Sequence, residues 1–174
     1  MALLALAGVY KIADPTSTSG ALRAIGLPGS TQLVRLLGAT EIGVGVIGIG
    51  WGGPIASAAA GILYGGFLVF VIEALRRKLP ISSCGCLGAT ETPPTLAHVL
   101  VNIVAVSVLV VGTLYPIGTL GGVPQLDAPT AVAFILFTAA AVYLLQAVLT
   151  TLPMRQAASR AQTVGITPRV SRST

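Results

Sequence analysis

The chain has 174 residues, of which 54% are hydrophobic and 9% are charged. Soluble globular domains contain about 25% charged residues, so this composition excludes an ordinary soluble domain and indicates a protein of the lipid bilayer. The net charge of +5 does not indicate nucleic-acid binding, because the basic residues lie between hydrophobic segments and near the C-terminus. We expect them to determine the topology and to contact anionic lipid headgroups.

Five hydrophobic segments are predicted, at residues 1–13, 33–49, 55–75, 96–114 and 130–152. The first is shorter than the roughly 20 residues that span a bilayer. We therefore expect either a start upstream of Met1 or a helix that enters the membrane only partway. The predicted fold class is all-α, a polytopic membrane helical bundle of four to five transmembrane helices. Its 21 glycines favour close packing of these helices.

The connections between the segments carry turn and charge signals. Asp14-Pro15 ends the first segment, because proline cannot continue the helical hydrogen bonding, and residues 16–30 are predicted to form a connection. Residues 51–54 form a tight turn, and residues 79–94, called the cysteine segment below, join the third and fourth hydrophobic segments. The chain is thus divided into a transmembrane domain, residues 1–152, and a basic cytoplasmic tail, residues 153–174, predicted to be disordered.

The distribution of charge predicts the orientation. If the end of the third segment lies in the cytoplasm, all ten Lys and Arg residues fall on that side of the membrane or at its interface. Asp127 is then the only charged residue in the loops on the opposite side. The positive-inside rule therefore predicts a cell-membrane protein with its N-terminus outside and its C-terminus and cysteine segment cytoplasmic.

Cys84 and Cys86 are the two cysteines of the chain and are separated by Gly85. Two thiols one residue apart can close a small, strained disulfide ring, and strained disulfides are the exchangeable kind. The pair is therefore redox-active, structural, or part of a shared metal site. A zinc site normally needs four ligands, and only His98 lies nearby in sequence, so no complete metal site is predicted within one chain.

Glu41 lies near the middle of an otherwise uncharged segment. A carboxylate at bilayer depth costs about 2.5–3.5 kcal/mol, so Glu41 should face the interior of the bundle. Lys11, at the end of the first segment, is the nearest candidate for a paired cation. The pair would fix the helices structurally, or Glu41 would act as a proton acceptor or as a residue of a quinone site.

His98 and Asn102 are four residues apart and should share one face of the fourth helix. A nearby imidazolium or helix N-terminus would favour the thiolate, which is the reactive form of cysteine. The alternative is an interfacial histidine beside an asparagine that bonds a neighbouring helix.

Two glycine patterns are interpreted as packing surfaces. Residues 43–48 match the dinucleotide pattern GxGxxG, but they lie inside an apolar helix with no strand before it. Residues 61–65 match GxxxG, which is typical of close helix packing within a bundle or in a dimer.

Three stretches together resemble a known family: AGVYKIADP at residues 7–15, EIG at residues 41–43 and CGCLG at residues 84–88. In this order and spacing they resemble the methylamine-utilisation MauE family, a branch of the DoxX-like membrane proteins. Leu87 stands where the family usually has an aromatic residue, and Asn102 resembles an asparagine that members often carry in the following helix. The resemblance covers roughly residues 1–115.

The resemblance implies a multi-pass helical bundle that acts in membrane thiol redox or in maturation of the disulfide-rich small subunit of methylamine dehydrogenase. It also implies that Cys84 and Cys86 form the redox pair and that Glu41 and Lys11 are motif residues without an assigned role. This family is expected to act outside the cytoplasm, whereas the charge distribution places the cysteine segment inside.

The leading hypothesis is a thiol-disulfide oxidoreductase or maturation factor in which His98, Glu41 and Lys11 support the cysteine pair. No resident cofactor is evident from the sequence; a quinone, a thioredoxin-like protein or another oxidoreductase would renew the pair. One alternative is a non-catalytic subunit or scaffold of a membrane oxidoreductase complex. A weaker one is a small transporter with Glu41 as its proton or ion site.

Overall fold

The computed structural model of the chain describes residues 1–79, 93–115 and 127–163. These residues contain α-helices and no strand, which confirms the predicted all-α class. The helices are α1 (Ala2–Ala13), α2 (Thr16–Ala24), α3 (Thr31–Gly50), α4 (Gly53–Arg76), α5 (Leu96–Leu114) and α6 (Ala128–Thr163).

Four of the described helices are long and apolar enough to cross a membrane. They are α3, α4, α5 and the Ala128–Leu145 part of α6, with mean hydropathies between 1.6 and 2.2. The first helix, α1, is also apolar but has only 12 residues, as its short hydrophobic segment predicted. The chain is therefore a polytopic helical membrane bundle, and four spans lie within the predicted range.

The short helix α1 packs antiparallel along α3, and glycines allow the two backbones to approach closely. A Cβ placed on Gly38 would lie 2.7 Å from the carbonyl oxygen of Gly8. Further along the pair, a Cβ on Gly45 would lie 2.8 Å from the Cβ of Ala5. Side chains at these positions would push the helices apart, so glycine is needed for this contact.

The glycine pattern at residues 43–48 is therefore partly a packing surface. Gly45 and Gly48 face α1, and a Cβ on Gly48 would lie 2.6 Å from the Sδ of Met1. Gly43 faces open space, with nothing within 4 Å of a Cβ built on it. The whole pattern lies inside α3, which leaves no strand–turn–helix for a dinucleotide.

The helices α3 and α4 form an antiparallel hairpin, and α4 packs in turn antiparallel to α5. The hairpin turn places Gly52 at φ 62°, a conformation that glycine adopts without the steric penalty of a side chain. Along α4 and α5, a Cβ on Gly61 would lie 3.6 Å from Leu109, and a Cβ on Gly112 would lie 3.5 Å from the Oγ of Ser57. A core cluster of Leu4, Ala60 and Tyr64 joins α1 to this pair of helices.

The connection predicted at residues 16–30 contains a helix, α2, which corrects that interpretation. Asp14 accepts hydrogen bonds at Oδ1 from the backbone N–H of Thr16, at 3.0 Å, and from the Thr16 hydroxyl. These bonds hold the pKa of the Asp14 carboxyl below its usual value and stabilise the start of α2. The Asp-Pro sequence that ends α1 therefore also begins the next helix, which packs Ala21 against Ala74 of α4.

The last helix, α6, makes few contacts with the rest of the described bundle. None of its Ala128–Leu145 stretch is buried, so in a membrane this stretch would face lipid or another protein. The helix continues to Thr163, past the predicted domain boundary at residue 152. The division into a transmembrane domain and a tail stays a prediction.

One end of the bundle collects the basic residues of positions 1–79. Because α1 runs antiparallel to α3 and α4 runs antiparallel to both α3 and α5, the end of α1, the start of α3, the end of α4 and the start of α5 lie together. This basic end contains Lys11, Arg23, Arg35, Arg76, Arg77 and Lys78. The chain leaves α4 and enters α5 here, so the cysteine segment connects two helices at the basic end.

Candidate functional site: a buried polar centre

A buried ion pair between α1 and α3 forms the first half of the polar centre. The Nζ of Lys11 lies 2.9 Å from the Oε2 of Glu41, and the two side chains are 2% and 0% exposed. This confirms Lys11 as the partner that the sequence indicated for Glu41. Helical side chains tilt toward the N-terminus of their own helix, so in this antiparallel pair the two side chains converge. They meet near the level where Gly8 contacts Gly38.

An aromatic pair from α4 closes the other side of the ion pair. The Nζ of Lys11 lies 5.0 Å from the centroid of the Phe67 ring, a favourable position for a cation over an aromatic face. Tyr64, one turn earlier on α4, packs edge-on against Phe67 with ring centroids 6.2 Å apart. Three helices therefore surround the charges, and the bundle would lose this arrangement if any one of them moved.

The second carboxylate oxygen of Glu41 is not satisfied. Its Oε1 is buried and has no hydrogen-bond partner among the described residues. A buried carboxylate oxygen without a hydrogen-bond donor costs free energy. An unsatisfied buried polar atom of this kind indicates a functional role or a bound water or ion.

His98 and Asn102 form the second half of the polar centre, on α5. Both are buried, and the Nδ2 of Asn102 donates to the carbonyl of His98 at 2.7 Å, which confirms that they share a face. The sequence also allowed Asn102 to form a hydrogen bond with a neighbouring helix. The observed hydrogen bond of Asn102 instead lies within α5.

The ring of His98 is fixed by the residue that caps α5. The backbone N–H of Thr95 donates to its Nδ1 at 3.3 Å, and the Thr95 hydroxyl lies 2.9 Å from the same atom. Because Nδ1 accepts the backbone N–H, the neutral imidazole carries its proton on Nε2. That Nε2 is buried and has no partner in the described part of the chain. His98 therefore presents an unused donor.

The two halves of the centre lie at neighbouring depths of the bundle. Gly61 lies opposite Leu109 and Ser57 lies opposite Gly112, and from there α4 and α5 run in opposite directions. This register places Asn102 level with Phe67, and His98 one turn nearer the basic end. The structure thus collects the polar residues that the sequence identified separately into the half of the bundle at its basic end.

Three residues of this centre were not identified from the sequence. Phe67 and Tyr64 are three apart on α4, which places them on one face, but aromatic residues in an apolar helix carry no signal that they contact a buried cation. The Thr95 cap had a signal. A threonine three residues before a side chain that can accept a hydrogen bond matches the capping-box pattern, with His98 in the place usually taken by Glu or Gln.

Cys84 and Cys86 lie outside the described residues, so their predicted role stays a prediction. Among residues 1–79, 93–115 and 127–163, no group of three or more His, Cys, Asp and Glu side chains could hold a metal ion. The roles predicted for Lys11, Glu41 and His98 in supporting the cysteines are likewise predictions, whereas their places in the bundle are established.

Comparison with known proteins gives one family. The family model described as "Methylamine utilisation protein MauE" matches residues 1–116, which confirms the resemblance found in the sequence. The matched region includes α1 to α5, both halves of the polar centre and both cysteines. No curated protein and no solved structure matches the chain.

Proposed function

The chain belongs to the MauE family, and from this premise we propose that it is a membrane thiol-disulfide exchange factor associated with methylamine utilisation, with Cys84 and Cys86 as its reactive pair. The family description supports an association with methylamine utilisation, and the process that we propose the chain serves is maturation of the disulfide-rich small subunit of methylamine dehydrogenase. The cysteines lie inside the matched region and between two helices that meet at the basic end.

The observation that carries the proposal is the unpartnered Nε2 of His98. His98 lies in the first turn of α5, the helix into which the cysteine segment leads. A buried N–H donor at a helix N-terminus stabilises a nearby negative charge. A thiolate from the cysteine segment is an acceptor that would use this donor, and hydrogen bonding of that kind favours the reactive thiolate.

The exchange proceeds in two balanced steps. The Cys84 thiolate attacks one sulfur of a partner disulfide, the partner's S–S bond breaks, and its second sulfur leaves as a thiolate. Cys86 then attacks the mixed disulfide, forms the Cys84–Cys86 bond and releases the first partner sulfur. The partner gains two electrons and the cysteine pair loses two. The reverse sequence transfers a disulfide to the partner.

The partner is met at the cytoplasmic face in this proposal. The basic end of the bundle carries Lys11, Arg23, Arg35 and the 76–78 cluster, and the positive-inside rule assigns such an end to the cytoplasm. A thioredoxin-like protein or another oxidoreductase fits this place, and electrons destined for an exported subunit would have to cross the bundle. Labelling of Cys84 and Cys86 by a membrane-impermeant maleimide in inside-out vesicles, but not in intact cells, checks the orientation.

Substituting Cys86→Ser is expected to trap a covalent complex with the partner, because the mixed disulfide then has no resolving thiol. The complex is detected in cells as a reducible band on a non-reducing gel and identified by mass spectrometry. Cys84→Ser is the matched control, since it removes the attacking thiol and should trap little or nothing. The proposal is wrong if neither variant traps a partner and if cells carrying Cys84→Ser/Cys86→Ser grow on methylamine as well as cells carrying the wild-type protein. A scaffold role is then favoured.

Replacing His98→Phe is expected to slow alkylation of the cysteine pair at pH 7 and to shift the pH profile of alkylation upward. The loss of one stabilising hydrogen bond to a thiolate corresponds to roughly one pKa unit, or about a tenfold lower thiolate fraction. His98→Gln, which restores an N–H donor, should recover part of the rate. An unchanged pH profile in His98→Phe would show that His98 acts only in packing α5.

A further inference from the structure

A cleft beside the ion pair is not used by the exchange chemistry. It has a volume of about 230 Å³ and is formed by α1, α2, α3 and α4. Its lining includes Lys11, Thr18, Leu37, Gly66, Phe67 and Phe70. Ile62 also lines the cleft and is 75% exposed on a membrane-spanning helix, so the cleft opens toward the lipid.

The charge in this cleft is already balanced. Lys11 is the cation on its wall, but its ammonium is paired with Glu41 at 2.9 Å. An anionic lipid headgroup would therefore meet a neutral pair and would lose its hydration without compensation. The ammonium has three N–H donors and one of them bonds Glu41, which leaves donors for a neutral acceptor such as a carbonyl oxygen.

The rest of the lining is suited to a flat, apolar ring. Phe67 and Phe70 present two aromatic side chains, and Gly66 lines the cleft at a position where a Cβ would meet nothing within 4 Å. Sites that enclose a whole drug-sized ligand have volumes of about 300–1,000 Å³. This smaller cleft fits a single ring whose hydrocarbon tail remains in the bilayer.

We propose that the Lys11 cleft binds the ring of a lipid-soluble quinone, with one ring carbonyl accepting a hydrogen bond from the Nζ of Lys11 and the ring packed against Phe67 and Phe70. Binding itself follows from the cleft. The use of the quinone as an electron acceptor rests on the proposed function.

The redox step balances without a further reactant. When the exchange runs in the direction that transfers a disulfide to the partner, the pair is left as two thiols. These thiols then lose two electrons and two protons and form one S–S bond, and the quinone takes up both and becomes the quinol. The cleft is built from the end of α1, from α2, from Leu37 near the start of α3 and from the middle of α4, and it lies toward the basic end. The cysteine segment joins α4 and α5 at this same end, so the donor and the acceptor are supplied to one side of the bundle.

The site is tested with the full chain in quinone-free nanodiscs, using a short-tailed azido-ubiquinone as photolabel and decylubiquinone as competitor. Gly66→Leu fills the cleft and is expected to reduce labelling about tenfold or more, equivalent to at least about 1.4 kcal/mol. Gly65→Leu is the matched control, because a Cβ there also meets nothing within 4 Å and Gly65 does not line the cleft. It should label like the wild type.

A second variant removes the donor and keeps the apolar shape. Lys11→Met combined with Glu41→Leu is neutral and should lose the decylubiquinone-protected label although its helical circular dichroism is unchanged. Cys84→Ser/Cys86→Ser should label normally, which separates binding from thiol chemistry.

Three results would overturn the proposed site: equal labelling of Gly66→Leu and Gly65→Leu, label spread over α5 and α6, or competition by a diacyl phospholipid as strong as that by decylubiquinone. A further result is that Gly66→Leu reduces labelling while decylubiquinone fails to oxidise the thiols of Cys84 and Cys86. That result supports the quinone site but contradicts its coupling to the exchange function. If Cys86→Ser traps a partner but no specific label is found, the exchange function stands and the quinone site falls.

Discussion

The variant Glu41→Leu is expected to lower the free energy of unfolding by about 3–5 kcal/mol, the usual consequence of leaving one member of a buried ion pair without its partner. Lys11 would remain 2% exposed with no counter-charge beside it, and the face of Phe67 compensates for only a small part of that loss. Lys11→Met should cost a similar amount, because it isolates Glu41. Unfolding in mixed detergent micelles, followed by circular dichroism, measures both.

A double-mutant cycle separates the interaction energy between Lys11 and Glu41 from the contacts that each side chain makes with other residues. Lys11→Met with Glu41→Leu should recover most of the lost stability, since replacing a whole buried pair by apolar residues is often neutral or stabilising. The exposed pair of Glu73 and Arg77, with N and O atoms 2.5 Å apart, provides the control. Glu73→Gln should change stability by no more than about 1 kcal/mol. Equal costs for Glu41→Leu and Glu73→Gln would show that burial of the pair is irrelevant.

The same cycle distinguishes a structural ion pair from a transport site. If the double variant is stable and still supports disulfide exchange, the pair serves to fix α1 against α3. A transporter with Glu41 as its proton or ion site would lose uptake in that variant, whereas the cysteine double variant would retain it.

The membrane-spanning helices could be predicted because each one is a long run of consecutive hydrophobic residues, which is visible in the sequence itself. The hydrophobic run at residues 96–114 coincides with α5, and the run at residues 55–75 lies within α4. Glu41 was also predictable as a buried group, because a lone carboxylate in an apolar helix must turn inward. Lys11 followed as its partner from the shortage of other cations near that depth.

The parts that could not be predicted depend on packing between helices. Helix α2 has few apolar residues and a weak intrinsic preference for helix, so its formation relies on the hydrogen bonds from Thr16 to Asp14 and on burial of Ala21 against Ala74. Nothing in the local sequence distinguishes Gly45, which contacts α1, from Gly43, which faces open space. The orientation of the His98 ring, by contrast, depends on the local Thr95 cap, whose capping-box pattern is present in the sequence.

The second large loss of stability is expected from a substitution that separates α1 from α3. Gly8→Leu would place a Cβ 2.8 Å from the Cγ1 of Ile42 and closer still to the carbonyl oxygen of Gly38. A backbone oxygen cannot move aside as a flexible side chain can, so the helices must separate. Overpacking alone costs about 1–3 kcal/mol, and separation would also lengthen the Lys11–Glu41 contact, so we expect a loss at or above the upper end of that range.

Gly43→Leu is the matched control, because it adds the same apolar side chain to α3 at a position where a Cβ meets nothing within 4 Å. It should leave the unfolding free energy and the amide hydrogen exchange of α1 unchanged, whereas Gly8→Leu should make the α1 amides exchange rapidly. In the Gly8→Leu background, Glu41→Leu should cost much less than in the wild type, since the ion pair is already broken. Additive losses from Gly8→Leu and Glu41→Leu would instead mean that the ion pair survives loss of the glycine contact, and that the two contacts stabilise α1 independently.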